Sequence, residues 1–355
     1  MTLQELRREI DRVDEALLDL YNERLRFVKQ VGELKQQTGA PIYRPERERE
    51  ILERLKRLNR EKNGLLTDDA IEALYLELFA VARNYELPER IAFLGPEASF
   101  THQAAESKFG AMSSYIPINT IKGVFREVAR GKAKFGVVPI ENSFNGIVSD
   151  TISCLSDYDL KIIAEVIVEI HHVFATKAED LKQIKRIYSK DIAFGQCSQF
   201  LEDFGLDEVE QIPVESTAKA AQLAAKDPEA AAICAEVASR LYKLPVMFKN
   251  IEDEGNNRTR FFIVSDFENA PSGHDKTTIL VRLSNRPGAL VEFLLDFKEA
   301  QIGLTKIKSH IVGGHSIFFI EFDGHKNDEK IKGIFAKHQE SIKFLGSYVK
   351  EADDV

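Results

Sequence analysis

From Leu3 onward, apolar residues return on a seven-residue rhythm: Leu3, Leu6, Ile10, Val13, Leu17, Leu20, then Phe27, Val31 and Leu34. That pattern predicts a helix from about Leu3 to Gln37, roughly 50 Å long by the helical rise. TGAP (Thr38–Pro41) ends it. A second helix starts near Pro45, whose fixed φ suits a first turn, and runs through EREREILERLKRL. NGLLTDD (Asn63–Asp69) closes with a capping signal for a third helix over about Asp69–Tyr85. Three helices, one of that length, cannot bury the seam of the first. A second copy of the chain is the simplest cover.

The seam has one exception. Arg24 occupies an a position of the heptad, and Arg7 and Lys35 fall at e positions beside the d row. One reading is a polar residue that sets the register of a coiled coil. The other is a set of cations turned inward, to which the second helix adds Arg47 and Glu48 in RPERERE. Guanidinium groups on an inward face suit a small dicarboxylate, because their planar forks bind carboxylate oxygens in pairs. The formal charge of −9 argues against nucleic acid or an anionic membrane as partner, so an anionic substrate needs such local cations. No apolar run nears the roughly 20 residues that span a bilayer, and MTLQELRREIDRVDE lacks a signal-peptide core. The 3 cysteines (Cys154, Cys197, Cys234) lie far apart, as reduced thiols of a cytoplasmic protein do.

After ELPER (Glu86–Arg90) the pattern changes to short apolar strands alternating with helices, which predicts α/β architecture to about Phe267. IIAEVIVEIHHVFAT reads as one strand, with His171 and His172 on opposite sides as structural residues; no metal and no cofactor is expected. GPEASFTHQAA (Gly95–Ala105) follows a strand and opens a helix, so its backbone N–H groups suit an anion. VVPIENSFNGIV (Val137–Val148) sets polar groups at a strand's C-terminal end, where α/β proteins bind ligands. Thr259 and Arg260 in NNRTRFF point to opposite faces of a strand. Past the turn-rich ENAPSGHD (Glu268–Asp275), the order β-α-β-β-α-β predicts a ferredoxin-like α+β fold over 276–355.

L-R-R-E-I at Leu6–Ile10, N-E-R at Asn22–Arg24, V-G-E-L-K at Val31–Lys35 and P-E-R-E at Pro45–Glu48 resemble the all-helical chorismate mutase family. The resemblance implies an intertwined dimer over residues 1–87. Arg7 and Arg24 would bind the substrate's carboxylates, with Arg47 reaching over from the partner chain. Lys35 and Glu86 would face the breaking ether oxygen, and Glu48 the substrate hydroxyl. Such a site holds a chair-like conformer and stabilises charge on the ether oxygen, with neither nucleophile nor metal. Glu86 helps only when protonated, so mutase activity is expected to fall above neutral pH. Arg44 and Ala82 stand where family members often have Asp and Ser.

P-I-E-N-S followed by T-R-F, with FGQCSQFL and VESTAKAA between them, resembles prephenate dehydratase. This implies two α/β lobes over 90–267, arranged like a periplasmic binding protein with the active site in the cleft. Thr259 would be the essential residue, with Ser99, Thr101, Glu141, Asn142, Ser143, Gln196, Glu215 and Arg260 as substrate contacts. Either Thr259 or a cleft carboxyl such as Glu215, kept protonated by burial, would supply the proton. GPEAS stands where the family usually has GPEGT, and SKD (Ser189–Asp191) where it often has SHP.

SNRPGALVEFL followed by LTKIKSHIV resembles an ACT regulatory domain, which implies paired modules binding phenylalanine at Asn285, Pro287, Gly288, Ala289 and Leu290. Lys308, Ser309, His310 and Ile311 stand where the family has E-S-R-P in that site, so the acid and the arginine are lost. Together the three likenesses imply a cytoplasmic, homo-oligomeric (dimer or tetramer) bifunctional enzyme that takes chorismate through prephenate to phenylpyruvate. Two alternatives stay open at this stage. One is a non-catalytic sensor with a binding-protein-like cleft; the other is a dehydratase whose mutase domain has decayed.

Overall fold

A computed structural model describes residues 1–38, 44–86, 90–284, 286–312 and 315–351. The chain divides into two compact units, Met1–Glu89 with Phe109–Ser114, and Arg90–Lys108 with Tyr115–Val355. Among the described residues, no helix is long and apolar enough to cross a membrane.

The first unit is helical: α1 (Leu3–Thr38), α2 (Pro45–Glu61) and α3 (Asp68–Glu86). α1 starts on a reciprocal cap in which Thr2 Oγ1 accepts from Glu5 N at 3.2 Å and Glu5 Oε2 accepts from Thr2 N at 2.7 Å. Proline opens α2. Thr67 Oγ1 accepts from Ala70 N at 3.1 Å and starts α3. α3 buries Ile71, Phe79, Ala80 and Ala82, whereas Gly32 is the one buried residue of α1 among those described. The heptad seam therefore stands open along its whole length, from Leu3 (67% exposed) to Leu34 (61%).

The second unit begins with β1 (Arg90–Leu94), α4 (Phe100–Phe109), β2 (Ser114–Ile118), α5 (Ile121–Ala129), β3 (Phe135–Asn142), β4 (Gly146–Ile147), α6 (Ser149–Asp157) and β5 (Lys161–Glu169). It continues with β6 (Val173–Thr176), β7 (Arg186–Ser189), α7 (Asp191–Gln196), α8 (Ser198–Asp203), β8 (Glu210–Pro213), α9 (Thr217–Ala224), β9 (Ala230–Cys234), α10 (Glu236–Leu241), β10 (Val246–Lys249) and β11 (Arg258–Ser265). Two sheets result. The first has order β2-β1-β3-β11-β5, with β4 on β3; the second has order β10-β6-β9-β7-β8. The apolar run from Ile162 to Thr176 is thus not one strand. It breaks at 170–172, where the chain leaves the first sheet for the second, and it returns through 250–257.

Glu252 ties the two crossovers together. Its Oε2 accepts from His172 N at 2.8 Å, and its Oε1 lies 2.5 Å from His171 Nδ1. The paired histidines sit at the neck between two lobes, not within the single strand that the apolar pattern predicts. The three cysteines are free and buried. Burial pushes the Cys154 thiol up to about 11 and the Cys234 thiol up to about 12, which keeps both unreactive near neutral pH.

The chain ends with β12 (Asp275–Arg282), α11 (Ala289–Glu299), β13 (Leu304–Val312), β14 (His315–Asp323), α12 (Glu329–Lys337) and β15 (Ile342–Val349), in an antiparallel sheet of order β13-β14-β12-β15. This is the split β-α-β order read from the sequence. Leu280, Ile317, Phe319, Leu345 and Tyr348 share one apolar core with Ile140, Leu155 and Phe262 of the first lobe. Gly346 permits that approach, since a Cβ there would lie 2.1 Å from Ile162 O.

A buried ionic network crosses the same boundary. Arg260 Nε donates to Glu165 Oε2 at 2.8 Å and its Nη1 to Glu321 Oε2 at 2.9 Å, while Lys276 Nζ donates to Glu165 Oε1 at 3.0 Å. Removing one partner strands a buried charge, which costs about 3–5 kcal/mol. Glu321→Ala is expected to lower the stability of this unit by about that amount, read as an earlier urea transition; an unchanged midpoint would show that the network does not hold the two parts together.

Candidate active sites

In the helical unit, the exceptional arginine of the seam is half-buried. Arg24 lies over the Phe79 ring at 5.9 Å, and its Nη1 is buried without a hydrogen-bond partner. A buried, unpaired guanidinium nitrogen is costly unless something accepts from it, so Arg24 retains an unused donor in the single chain. Lys35 is half-buried on the same helix. Arg7 and Arg47 are exposed in the single chain, and Arg47 Nη1 pairs with Glu50 at 2.5 Å. Glu48 is half-buried and ion-paired with Arg83, a buried residue of α3 that sequence reasoning passed over. Arg83 follows Ala82 in an apolar stretch, so its burial was the signal available. Arg44 pairs with Glu46. The Glu86 side chain lies outside the described residues.

In the second unit, a cleft of about 510 Å³ opens between the two lobes. Ser99, Thr101, Asn142, Gln196, Glu215 and Thr259 line it, and the starts of α4 and α9 face into it. Asn142 organises the chemistry. Its Nδ2 is 2.9 Å from Thr259 Oγ1, 2.8 Å from Asn257 Oδ1 and 3.1 Å from Arg258 O, while its Oδ1 accepts from the N–H groups of Phe144 and Asn145. With its Oγ1 accepting from Asn142, Thr259 keeps its own proton to donate into the cleft. The donated bond also makes that hydroxyl a better acid.

Three expected contacts lie elsewhere. Glu141 ion-pairs with Lys306 of β13. Ser143 Oγ accepts from Arg258 N at 3.0 Å and shapes the turn. Arg260 points away from Thr259 into the buried network, because neighbours on a strand face opposite ways. Glu215 lines the cleft but is exposed, so the burial invoked to keep it protonated is absent. That leaves Thr259 as the better-supported donor.

Two lining residues went unnamed as contacts. His172 is 2% exposed, its Nε2 donates to Gln196 Oε1 at 3.1 Å, and its Nδ1 is buried and unpaired. Lys190 stands just before α7. The adjacent histidines separate electrostatically. Burial holds His172 below its usual value, whereas the Glu252 carboxylate raises His171. As pH falls below about 6.5, the unfolded chain takes up a proton at position 172 that the folded chain refuses, so that contribution to stability is lost on the acid side. His171 is the converse: its contribution is complete at low pH and lost as pH rises through its folded value.

Among the C-terminal candidates, Gly288 caps α11 with φ +85°, in the left-handed region that favours glycine. Pro287 is exposed and Ala289 and Leu290 are half-buried beside it; Lys308, Ser309 and His310 lie on β13, which forms the edge of its sheet. Asn285 lies outside the described residues.

One chain thus carries a helical unit with a half-buried arginine that keeps an unused donor and an α/β unit whose cleft holds a threonine hydroxyl bonded to Asn142, an arrangement suited to a two-site enzyme. The chorismate mutase type II family model matches residues 6–87, and the prephenate dehydratase model matches 91–269. The bifunctional chorismate mutase/prephenate dehydratases of Aquifex aeolicus and Pseudomonas aeruginosa are each 39% identical to this chain, with 98% of both partners covered in either case. A crystal structure of prephenate dehydratase from Arthrobacter aurescens in complex with L-Phe is 32% identical with a TM-score of 0.66, covering 74% of this chain and 90% of that one. The chain belongs to the bifunctional chorismate mutase/prephenate dehydratase family. It rearranges chorismate to prephenate, then converts prephenate to phenylpyruvate with loss of carbon dioxide and water.

Thr259→Ala is expected to lower dehydratase kcat by roughly 10²- to 10⁴-fold with mutase turnover unchanged; retained dehydration would exclude the threonine as donor. In NMR titrations at pH 6.5, the His171 imidazole is expected to be mostly charged and that of His172 neutral; equal charging of the two would refute the assigned environments.

Proposed function

We propose that each mutase site is completed by a second copy of the chain. The observation that carries this is the open seam of α1 together with the unpaired Nη1 of Arg24. Arg7 and Arg24 hold the carboxylates of chorismate, with Arg47 supplied across the dimer. Lys35 and Glu86 meet the ether oxygen as the C–O bond breaks. Glu48, with Arg83 ion-paired to it, takes the hydroxyl. The reaction is a single pericyclic step, so fixed cations that favour the compact conformer and the growing charge are sufficient. The ion pair of Arg83 with Glu48 supports a hydroxyl side that keeps a charged partner although Arg44 and Ala82 depart from the family pattern, which favours a working mutase over a decayed one.

In the dehydratase cleft, Thr259 donates to the departing ring hydroxyl of prephenate. The bond to the ring carboxylate breaks, its electron pair completes the aromatic ring, and the C–O bond opens as water forms. Asn142 and Gln196 position the groups around it. Residues 1–87, 90–267 and 276–355 serve as mutase, two-lobed binding-protein-like dehydratase and ACT regulatory domains.

Phenylalanine is the effector, bound near Asn285 to Leu290 and Lys308 to His310 where ACT modules of two chains pair. Exposed Val291, Leu295, Ile307 and Ile311 supply apolar area for that pairing. The L-Phe complex of the Arthrobacter enzyme supports this reading. The enzyme works in the cytoplasm as a homo-oligomer, without metal or cofactor.

Incubation of the purified chain with chorismate at neutral pH should deplete it and release phenylpyruvate, read without acid treatment because acid aromatises prephenate by itself. Arg24→Ala is expected to abolish chorismate loss while leaving turnover of added prephenate intact. Retained chorismate loss would remove Arg24 from the clamp.

A further inference from the structure

Prephenate carries two carboxylates, and the dehydratase cleft must attract it to a chain of formal charge −9. The cation that the likeness supplied for this cleft, Arg260, is committed to Glu165 and Glu321 on the other side of its strand. Lys306 is likewise committed, to Glu141. Of the described residues that line the cleft, one is Lys or Arg: Lys190. It is exposed, and no ion pair engages it among the described residues. The other charge on the lining is Glu215, which repels the substrate.

Lys190 sits where β7 gives way to α7, on the lobe opposite Thr259 and Asn142. The preceding Ser189 is buried, and its Oγ donates to Ile233 O at 2.9 Å, which fixes the backbone from which the lysine projects. The cleft is thus divided. One lobe carries the polarised hydroxyl donor, and the other carries the ammonium.

We propose that Lys190 is the specificity cation of the dehydratase site and that it holds the pyruvyl carboxylate of prephenate. The choice between the two carboxylates follows from the chemistry. The ring carboxylate leaves as carbon dioxide and gives up its charge on the way, so an ammonium on it would stabilise the ground state more than the transition state and slow the reaction. The pyruvyl carboxylate keeps its charge from substrate to product. A cation there binds both states equally, lowers KM and leaves kcat alone. This assignment rests on the dehydratase reading of the cleft.

The test uses the full-length chain and added prephenate. Lys190→Met keeps length and removes charge. Its KM is expected to rise roughly 10- to 100-fold, with kcat nearly unchanged, and Lys190→Arg should restore most of the affinity. Phenylpyruvate, which retains only the pyruvyl carboxylate, should lose affinity as a competitive inhibitor by the same factor. Lys190→His adds a readout that a structural role would not move. Relative to wild type at each pH, its KM should be near normal at pH 5.5, where the imidazole is charged, and as poor as that of Lys190→Met at pH 8.

An unchanged KM in Lys190→Met would overturn the proposal and make the lysine a solvated residue before a helix. A raised KM with unchanged phenylpyruvate inhibition would overturn the choice of carboxylate. Wild-type chain inert toward prephenate would instead refute the dehydratase reading itself, and would be seen before any variant is compared.

Discussion

The buried network around Arg260 determines how the second unit of this molecule is put together. Two cations, Arg260 and Lys276, and two carboxylates, Glu165 and Glu321, are withdrawn from water at the boundary between the first lobe and the C-terminal sheet. Tyr348 and Thr278 complete the enclosure, with 2.7 Å between their hydroxyls. Charges this deep are tolerable only when each is paired and hydrogen-bonded. The network therefore fixes β11 against β12 and β14, and the residue before Arg260 on that strand is Thr259. A shift of the C-terminal sheet has to move either the network or the strand that carries Thr259. The ion pair between Lys306 and Glu141 adds a second link, from the edge strand that bears Lys308 to His310 to the residue beside Asn142.

The two active sites solve the same electrostatic problem differently. Both take anions into a protein whose net charge is unfavourable, so each depends on cations placed at short range, where the distant field matters least. The helical unit carries Arg7, Arg24 and Lys35 on an amphipathic helix whose apolar seam is exposed in one copy, where Arg24 keeps an unsatisfied nitrogen. The dehydratase cleft is formed within a single chain. There, the Thr259 hydroxyl is held in one orientation. Asn142 supplies the orientation by occupying the threonine's acceptor site and leaving its proton free.

The helices, their breaks and the two changes of pattern were legible because local chemistry sets them: a reciprocal cap at Thr2 and Glu5, proline at the start of α2, glycine at the left-handed cap of α11. The break at 170–172 was not legible. An apolar run continues through it, and only the pairing partners of β5 and β6, in different sheets, decide that the chain turns there. Arg83 and Lys190 were missed for a related reason. Arg83 sits in no distinctive motif, and Lys190 sits in SKD, noted only as a departure from the family pattern; their importance comes from Glu48 in one case and from the cleft wall in the other.

By itself the sequence determined that there would be a cation-studded helix seeking a partner, an α/β segment with a threonine beside an arginine, and a terminal split β-α-β motif. It also determined that Thr259 and Arg260 face opposite ways, since that follows from the pleat of any strand. Only the tertiary structure decided which of those two faces was the cleft. Burying a guanidinium requires carboxylates from elsewhere in the chain, and Glu165 and Glu321 come together only when the lobe and the C-terminal sheet pack. Side-chain direction is a local property, but the surroundings into which a side chain points are assembled from residues far apart along the chain.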